Sequence, residues 1–257
     1  MPSPAHLLAR LEAVASSLRT RPDALALLAL GSVGLETDRL DEHSDLDFFV
    51  IVAPGARAAY LEDLGWLERA HPVAFSFANT PDGRKVLFGD GVFAEYAVFE
   101  MEALRGVPYA AGRLVWKREG VPDALAAPAA PAVGAPRSAA WQTNEALTNL
   151  FVGLHREARG ERLSATRFIQ QYAVDRVLDL ATLQGTARAG HADAFMAERR
   201  FEQRFPEVAA ALPGMVQGYA RNGPSALCIL AWLEAHSCVD SRMAVEIRRL
   251  AERVGAP

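Results

Sequence analysis

The sequence predicts an α+β protein in two parts: a small domain of alternating helices and strands, then a helical bundle. Three observations carry that expectation. Strand-like runs rich in β-branched and aromatic residues, DLDFFVIVAP at 45–54 and GVFAEYAVFE at 91–100, fall in the first half of the chain. Residues 121–137, VPDALAAPAAPAVGAPR, hold four prolines in an alanine-rich background, which restricts the backbone and offers little to pack. Beyond that stretch the apolar residues recur at helical spacing with few β-branched runs. The expected division is therefore a mixed domain over 1–120, a linker over 121–137 and a helical domain over 138–257.

Taken in order, residues 4–19 bring Leu7, Leu11, Val14 and Leu18 onto one side of an opening helix. RPDALALLALGS, from Arg21, reads as a turn, optionally with a short helix, and then a buried strand leading into Gly31. An acidic loop follows. Asp45–Pro54 is the next strand, stopped by Pro54-Gly55, and 56–70 is expected as a helix. Pro72–Asn79 and Arg84–Gly91 flank Thr80-Pro81-Asp82-Gly83 as a hairpin, and Gly91–Glu100 continues as a strand before a helix-like MEALRG. In the second half, 141–160, 166–185 and 241–255 carry helical periodicity, without an internal repeat or a long heptad array.

At 257 residues the chain can bury a substantial core without disulfides. Cys228 and Cys238 lack the paired spacing of a zinc site, so a reduced pair is expected, with a bridge between them as the alternative. The opening MPSPAHLLARLEAVA is patterned as an amphipathic helix rather than a secretory leader, and no apolar run approaches the roughly twenty residues that span a bilayer. A soluble, cytoplasmic protein is the expectation. With 27 basic against 31 acidic residues, a formal charge of -4, the chain lacks the basic excess of a nucleic-acid-binding surface. A small cationic or phosphorylated substrate stays open.

The chemistry concentrates at LALGSVGLETDRLDEHSDLDFFVIV, 28–52. Alternation along a strand turns Asp45 and Asp47 to the same face, where two carboxylates about 7 Å apart along the backbone can converge on a hard divalent ion. Magnesium suits oxygen ligands and phosphate co-ligands, and the apolar FFVIV that follows anchors the acidic end to a core element. Glu95 sits in mid-strand, where an ionised group is costly unless paired or metal-bound, and is the best third ligand. Asp90, between Gly89 and Gly91, reads as a plain turn, and Glu100 falls on the other parity. Gly31 can turn the backbone close to phosphate while Ser32 adds a hydroxyl and an amide. Neither a Walker loop nor a dinucleotide fingerprint is present. Gly-Ser or Asp-x-Asp alone is weak; their conjunction with Glu95 is what points to a site.

These residues resemble the nucleotidyltransferase superfamily that includes DNA polymerase beta and the antibiotic nucleotidyltransferases. Its pattern, an apolar residue, Gly-Ser or Gly-Gly, then Asp-apolar-Asp-apolar about a dozen residues on, is matched by Leu30-Gly31-Ser32 and Asp45-Leu46-Asp47-Phe48. Within it the chain looks most like the two-domain lincosamide nucleotidyltransferases. The resemblance implies a nucleotidyltransferase fold with a mixed sheet, Ser32 on nucleotide phosphate, Asp45 and Asp47 on Mg2+, and Glu95 in the third acidic position. Glutamate there departs from the aspartate of many members. It also implies ATP as co-substrate and transfer of an adenylyl group to a hydroxyl of a small antibiotic such as a lincosamide, with release of pyrophosphate. An aminoglycoside, a protein or RNA acceptor, and a regulator that binds nucleotide without chemistry are the alternatives. Glu95 could serve as ligand, base or both.

Among Lys85, Arg113, Lys117 and Arg118, each of which could be a hydrated surface cation, Lys117 is chosen as the nucleotide-binding partner. Trp141, Phe151, Phe168, Tyr172 and Trp232 are core residues at helical spacing or the wall of an acceptor cleft. The apolar faces of the helical half fit either a core or a homodimer interface.

Overall fold

A computed structural model describes residues 2–129, 137–185, 187–193 and 195–255. The protein is α+β, with an N-terminal mixed sheet followed by a C-terminal helical bundle, and divides into two compact units, Met1–Gly134 and Ala135–Pro257.

The first unit opens with α1 (Pro4–Arg19). Ser3 caps it by accepting the His6 N–H, and Pro4 occupies a first-turn position where its missing N–H costs nothing. Six strands follow: β1 (Ala24–Ala29), β2 (Leu46–Val52), β3 (Val73–Ala78), β4 (Gly83–Phe88), β5 (Phe93–Glu100) and β6 (Arg113–Lys117). They lie in the order β3-β4-β5-β2-β1-β6. Only β2 and β5 run parallel; the other neighbours are antiparallel, which makes the sheet mixed.

Alternation gives the central strands two different faces. Phe48 and Val50 of β2, Ala94, Tyr96 and Val98 of β5, and Val86 and Phe88 of β4 point into the main core, against Leu7, Leu11, Val14 and Leu18 of α1 and against Trp66. Phe48 stacks on Tyr96 at 5.6 Å between centroids, and Trp66 meets Tyr96 edge-on at 5.2 Å. On the opposite face Ile51, Phe99, Ala26 and Leu28 join a smaller core with Leu104, Tyr109 and Val121. That second cover reaches the C-terminal ends of β2 and β5.

Several expectations are modified. The helix expected over 56–70 is two short ones, α2 (Arg57–Glu62) and α3 (Gly65–Glu68), because the Asp63 carboxylate takes the Gly65 N–H (2.8 Å) and Asp63 itself is extended. MEALRG forms the one-turn α4 (Met101–Leu104). Strand β6 was not foreseen; each of its residues is half-buried, so it carries no alternation to read. Asp90 is more than a turn residue: it accepts from Arg10 and pairs with His6, both at 2.5 Å, and so fastens α1 to the β4–β5 connection. Burial disfavours its charge, but the hydrogen bonds from His6, Arg10 and the Val92 N–H override this and hold its pKa at about 2. In the proline-rich stretch, Val121 is buried, and the Tyr109 hydroxyl lies 2.9 and 2.8 Å from the Leu125 and Ala127 carbonyls, so 121–127 packs on the first unit. Residues 130–136 of that expected linker lie outside the described residues.

The second unit is built on α5 (Ala139–Ala158), α6 (Arg162–Arg167), α7 (Ala173–Gln184), three one-turn helices, α8 (Phe201–Arg204), α9 (Pro206–Ala209) and α10 (Leu212–Met215), and then α11 (Asn222–His236) and α12 (Ser241–Gly255). A π-helical turn, Phe168–Tyr172, joins α6 to α7 inside what the sequence presents as one helix. Gln170 points inward from that turn: its amide donates to Asn222 Oδ1 (2.7 Å) and its carbonyl accepts the Gly218 N–H (2.8 Å). Asn222 in turn donates to Glu157 (2.8 Å), so the inward polar groups satisfy one another. Trp232 is buried in this core, while Trp141 and Tyr172 are exposed. Cys228 and Cys238 are both free and exposed, and among the described residues no helix is long and apolar enough to cross a membrane.

Candidate functional site

β1 delivers the chain to Leu30, whose N–H donates to the Asp47 carbonyl (2.8 Å) and so bolts the start of the glycine turn to the acidic strand. Gly31 then adopts φ +53°, a left-handed conformation that favours glycine. Its carbonyl accepts the N–H groups of Gly34 (3.0 Å) and Glu36 (3.1 Å), which closes Gly31–Val33 into one 3-10 turn with Ser32 buried inside it. Gly34 is required by close approach, since a Cβ there would stand 2.6 Å from the Ala29 carbonyl oxygen. Arg113, at the start of β6, clamps the turn from the other side by donating to the carbonyls of Val33 (2.9 Å) and Gly34 (3.3 Å).

The parallel register of β2 and β5 sets Asp47 directly opposite Glu95. Neighbouring strands are about 4.8 Å apart, so the two carboxylates share one face at the same height. Asp45 immediately precedes β2, on the parity of Asp47, and is half-buried. Glu95 is already engaged: Oε1 accepts from the Asn79 amide (2.7 Å), and Oε2 lies 3.3 Å from Lys85 Nζ. On the β1 side Arg39 reaches in, because a Cβ on Gly31 would be 2.9 Å from Arg39 Nη2 and 3.9 Å from Asp47 Oδ2. Arg39 also pairs with Glu36.

Not every expected member gathers here. Lys117 donates to the Val121 carbonyl (2.8 Å) and pairs with Asp123 (2.8 Å); its register partner is Ala26, which faces Ile51 rather than Asp47. It therefore sits toward the opposite end of the strands from the glycine turn. Arg39, Lys85 and Arg113 are cations near the turn or the carboxylates. Lys85 lies on β4 two residues after the hairpin turn, whereas the position of Arg39 depends on how the acidic loop folds back. Within that loop Glu36 is paired with Arg39. Asp41 is held below the usual carboxylate range by the N–H of His43 and the Ser44 hydroxyl.

Among the described residues no three His, Cys, Asp or Glu side chains are gathered closely enough to share a metal ion. The physical reason is visible at Glu95, which is turned to Asn79 and Lys85. The donor set itself, carboxylate oxygens with a buried serine nearby and no sulfur or imidazole, has the chemistry of a hard divalent cation site.

No family model matches the chain, and no curated protein matches its sequence. Among solved structures, it is similar to the crystal structure of an aminoglycoside 6-adenyltransferase from Bacillus subtilis, with 12% identity, 99% of each chain covered and a TM-score of 0.37.

Proposed function

We propose that the protein is a nucleotidyltransferase that moves a nucleoside monophosphate, adenylyl from ATP in the first instance, to a hydroxyl of a small acceptor. The observation that carries this reading is the pairing of Asp47 with Glu95 beside a glycine turn that is hydrogen-bonded to Asp47's own backbone. Asp45, Asp47 and Glu95 would hold Mg2+, Glu95 exchanging Lys85 for the ion. When bound, the ion offsets charge on the triphosphate and makes an acceptor hydroxyl easier to deprotonate.

The chain's own groups divide the remaining work. Gly31 and Ser32 offer a close backbone approach and a hydroxyl to phosphate oxygens, and Arg39, on the β1 side, offers a cation to the leaving pyrophosphate. The acceptor oxygen forms its bond to the α-phosphorus as the bond to pyrophosphate breaks. Its proton passes to a carboxylate of the pair and then to solvent. Lincosamides and aminoglycosides are the two acceptor classes to test first.

A second reading, a nucleotide-binding protein without transfer, draws on the Lys85–Glu95 ion pair, which already supplies Glu95 with a cation. Mass spectrometry separates the two. The protein is incubated with magnesium, each of four nucleoside triphosphates and both antibiotic classes, beside Asp47→Asn. An adduct of one nucleoside monophosphate that is absent from the variant supports transfer. Magnesium-nucleotide binding with no adduct supports the second reading.

A further inference from the structure

The candidate site lies on an open sheet face, and that face is not polar throughout. Following the register from β2 outward, Asp47 pairs with Glu95, Glu95 with Lys85, and Lys85 with Phe77, so one row crosses four strands on a single face. Two residues along, Phe93 pairs with Leu87 and Leu87 with Phe75. Phe75, Phe77, Leu87 and Phe93 are 55%, 45%, 36% and 36% exposed, where large apolar residues elsewhere on these strands, Phe48, Tyr96 and Val86, are buried. Phe75 and Phe77 also stand against each other at 5.8 Å between ring centroids. Among the described residues the second core does not reach this end of the face, and isolated apolar residues on a surface are ordinary whereas a contiguous group of four is not.

The order of the strands assigns the two ends of the row. The glycine turn follows β1, on one side of the carboxylates; β4 and β3, with the apolar group, lie on the other. Accepting the transfer reading above, the donor's phosphates belong on the β1 side, which leaves the β4–β3 side to the acceptor. Phe77 is two strand spacings from Glu95, about 10 Å, and Phe93 is about 7 Å from it along β5. A molecule with its hydroxyl at the carboxylates spans that distance with its next ring.

We propose that Phe75, Phe77, Leu87 and Phe93 form the acceptor subsite, and that the acceptor is a small hydroxylated molecule carrying an apolar ring or alkyl arm rather than a polycationic sugar. The charge pattern fits this occupant: Glu95 and Lys85 meet its polar end, and four apolar side chains cover the rest. A polycation would bring ammonium groups to this apolar surface and leave it wet.

The test is calorimetric binding of two probes, a lincosamide and an aminoglycoside, to the full chain with magnesium and a non-hydrolysable ATP analogue. The lincosamide, which carries an alkylated ring, is expected to bind at least about tenfold tighter. Phe77→Ala should weaken it about tenfold, Phe77→Leu should restore most of that, and the Kd of the analogue should not move. An aminoglycoside that binds as tightly, or a lincosamide that does not bind, overturns the proposal. So does a Phe77→Ala variant that weakens the analogue instead, which would give the patch to the nucleobase. A wild-type dimer that Phe77→Ala dissociates, with lincosamide binding unchanged, would give the patch to a second copy. If the wild-type chain binds the lincosamide through Phe77 and does not bind the analogue, the subsite stands and the transfer reading falls.

Discussion

On β5, Glu95 and Tyr96 are neighbours in sequence and face opposite sides of one sheet. Tyr96 enters a face sealed by α1 and Trp66, stacks on Phe48, and has its hydroxyl's pKa driven up by burial. Glu95 enters a face left open at that end, and its partners are an amide and an ammonium group, both part-exposed. The difference teaches where stability and the proposed chemistry are kept apart. The sealed face holds the strands in register by apolar packing, and the register then delivers Asp47 to Glu95 on the open side without apolar packing of their own.

If that division is real, the largest effect on stability belongs to the sealed face. Trp66→Ala should cost about 3–5 kcal/mol in urea unfolding, while Phe77→Ala on the open face should stay within about 0.5 kcal/mol. Similar losses for the two would dissolve the comparison. Next comes the backbone beneath the site: Gly34→Ala forces a methyl against the Ala29 carbonyl, which strand pairing holds in place, and should cost about 1–3 kcal/mol. Its loss of nucleotide affinity, read by calorimetry, should exceed that of Phe77→Ala. A smaller effect is expected at the clasp between α1 and the β4–β5 connection. Because the folded Asp90 carboxyl titrates at about 2, below the roughly 3.9 of an unfolded chain, its contribution is present above about pH 4 and is lost as pH falls through about 2. Asp90→Asn should therefore cost about 1–2 kcal/mol at pH 7, solvent screening of its exposed edge included, and nearly nothing at pH 2. A penalty independent of pH would show that the clasp works by packing instead.

Much of this architecture was legible because alternation is a local property. Asp47 and Glu95 could be set on strands, and on faces of those strands, from their apolar neighbours alone, with Asp45 one residue short of its strand, and the hairpin announced itself through Thr80-Pro81-Asp82-Gly83. What escaped was set by tertiary partners. β6 pairs with β1 but buries neither side fully, so its residues alternate in nothing. α11 is apolar nearly all round, ALCILAWL in its middle, and a helix without a polar face has no period to detect. Lys117 looked suited to phosphate by charge, yet the local fold gives it to Asp123 and a carbonyl. That Lys85 faces Glu95 follows from the β4–β5 register, which no window of sequence contains.

The parallel pairing of β2 with β5 also sets an order of assembly. Parallel strands cannot be joined by a tight turn, and here the connection runs through two helices and the whole hairpin before Glu95 arrives opposite Asp47, 48 positions later. During synthesis at about 5–20 residues per second, β2 waits roughly 2–10 s for its partner, with β1 on one edge and nothing yet to seal the other. An interrupted chain that ends before β5 would carry the glycine turn and the first two carboxylates on a strand edge free to pair with whatever strand comes next. The ribosome, in effect, releases the two aspartates and Glu95 as separate deliveries, and the sheet carries all three carboxylates only when β5 has been threaded into the middle.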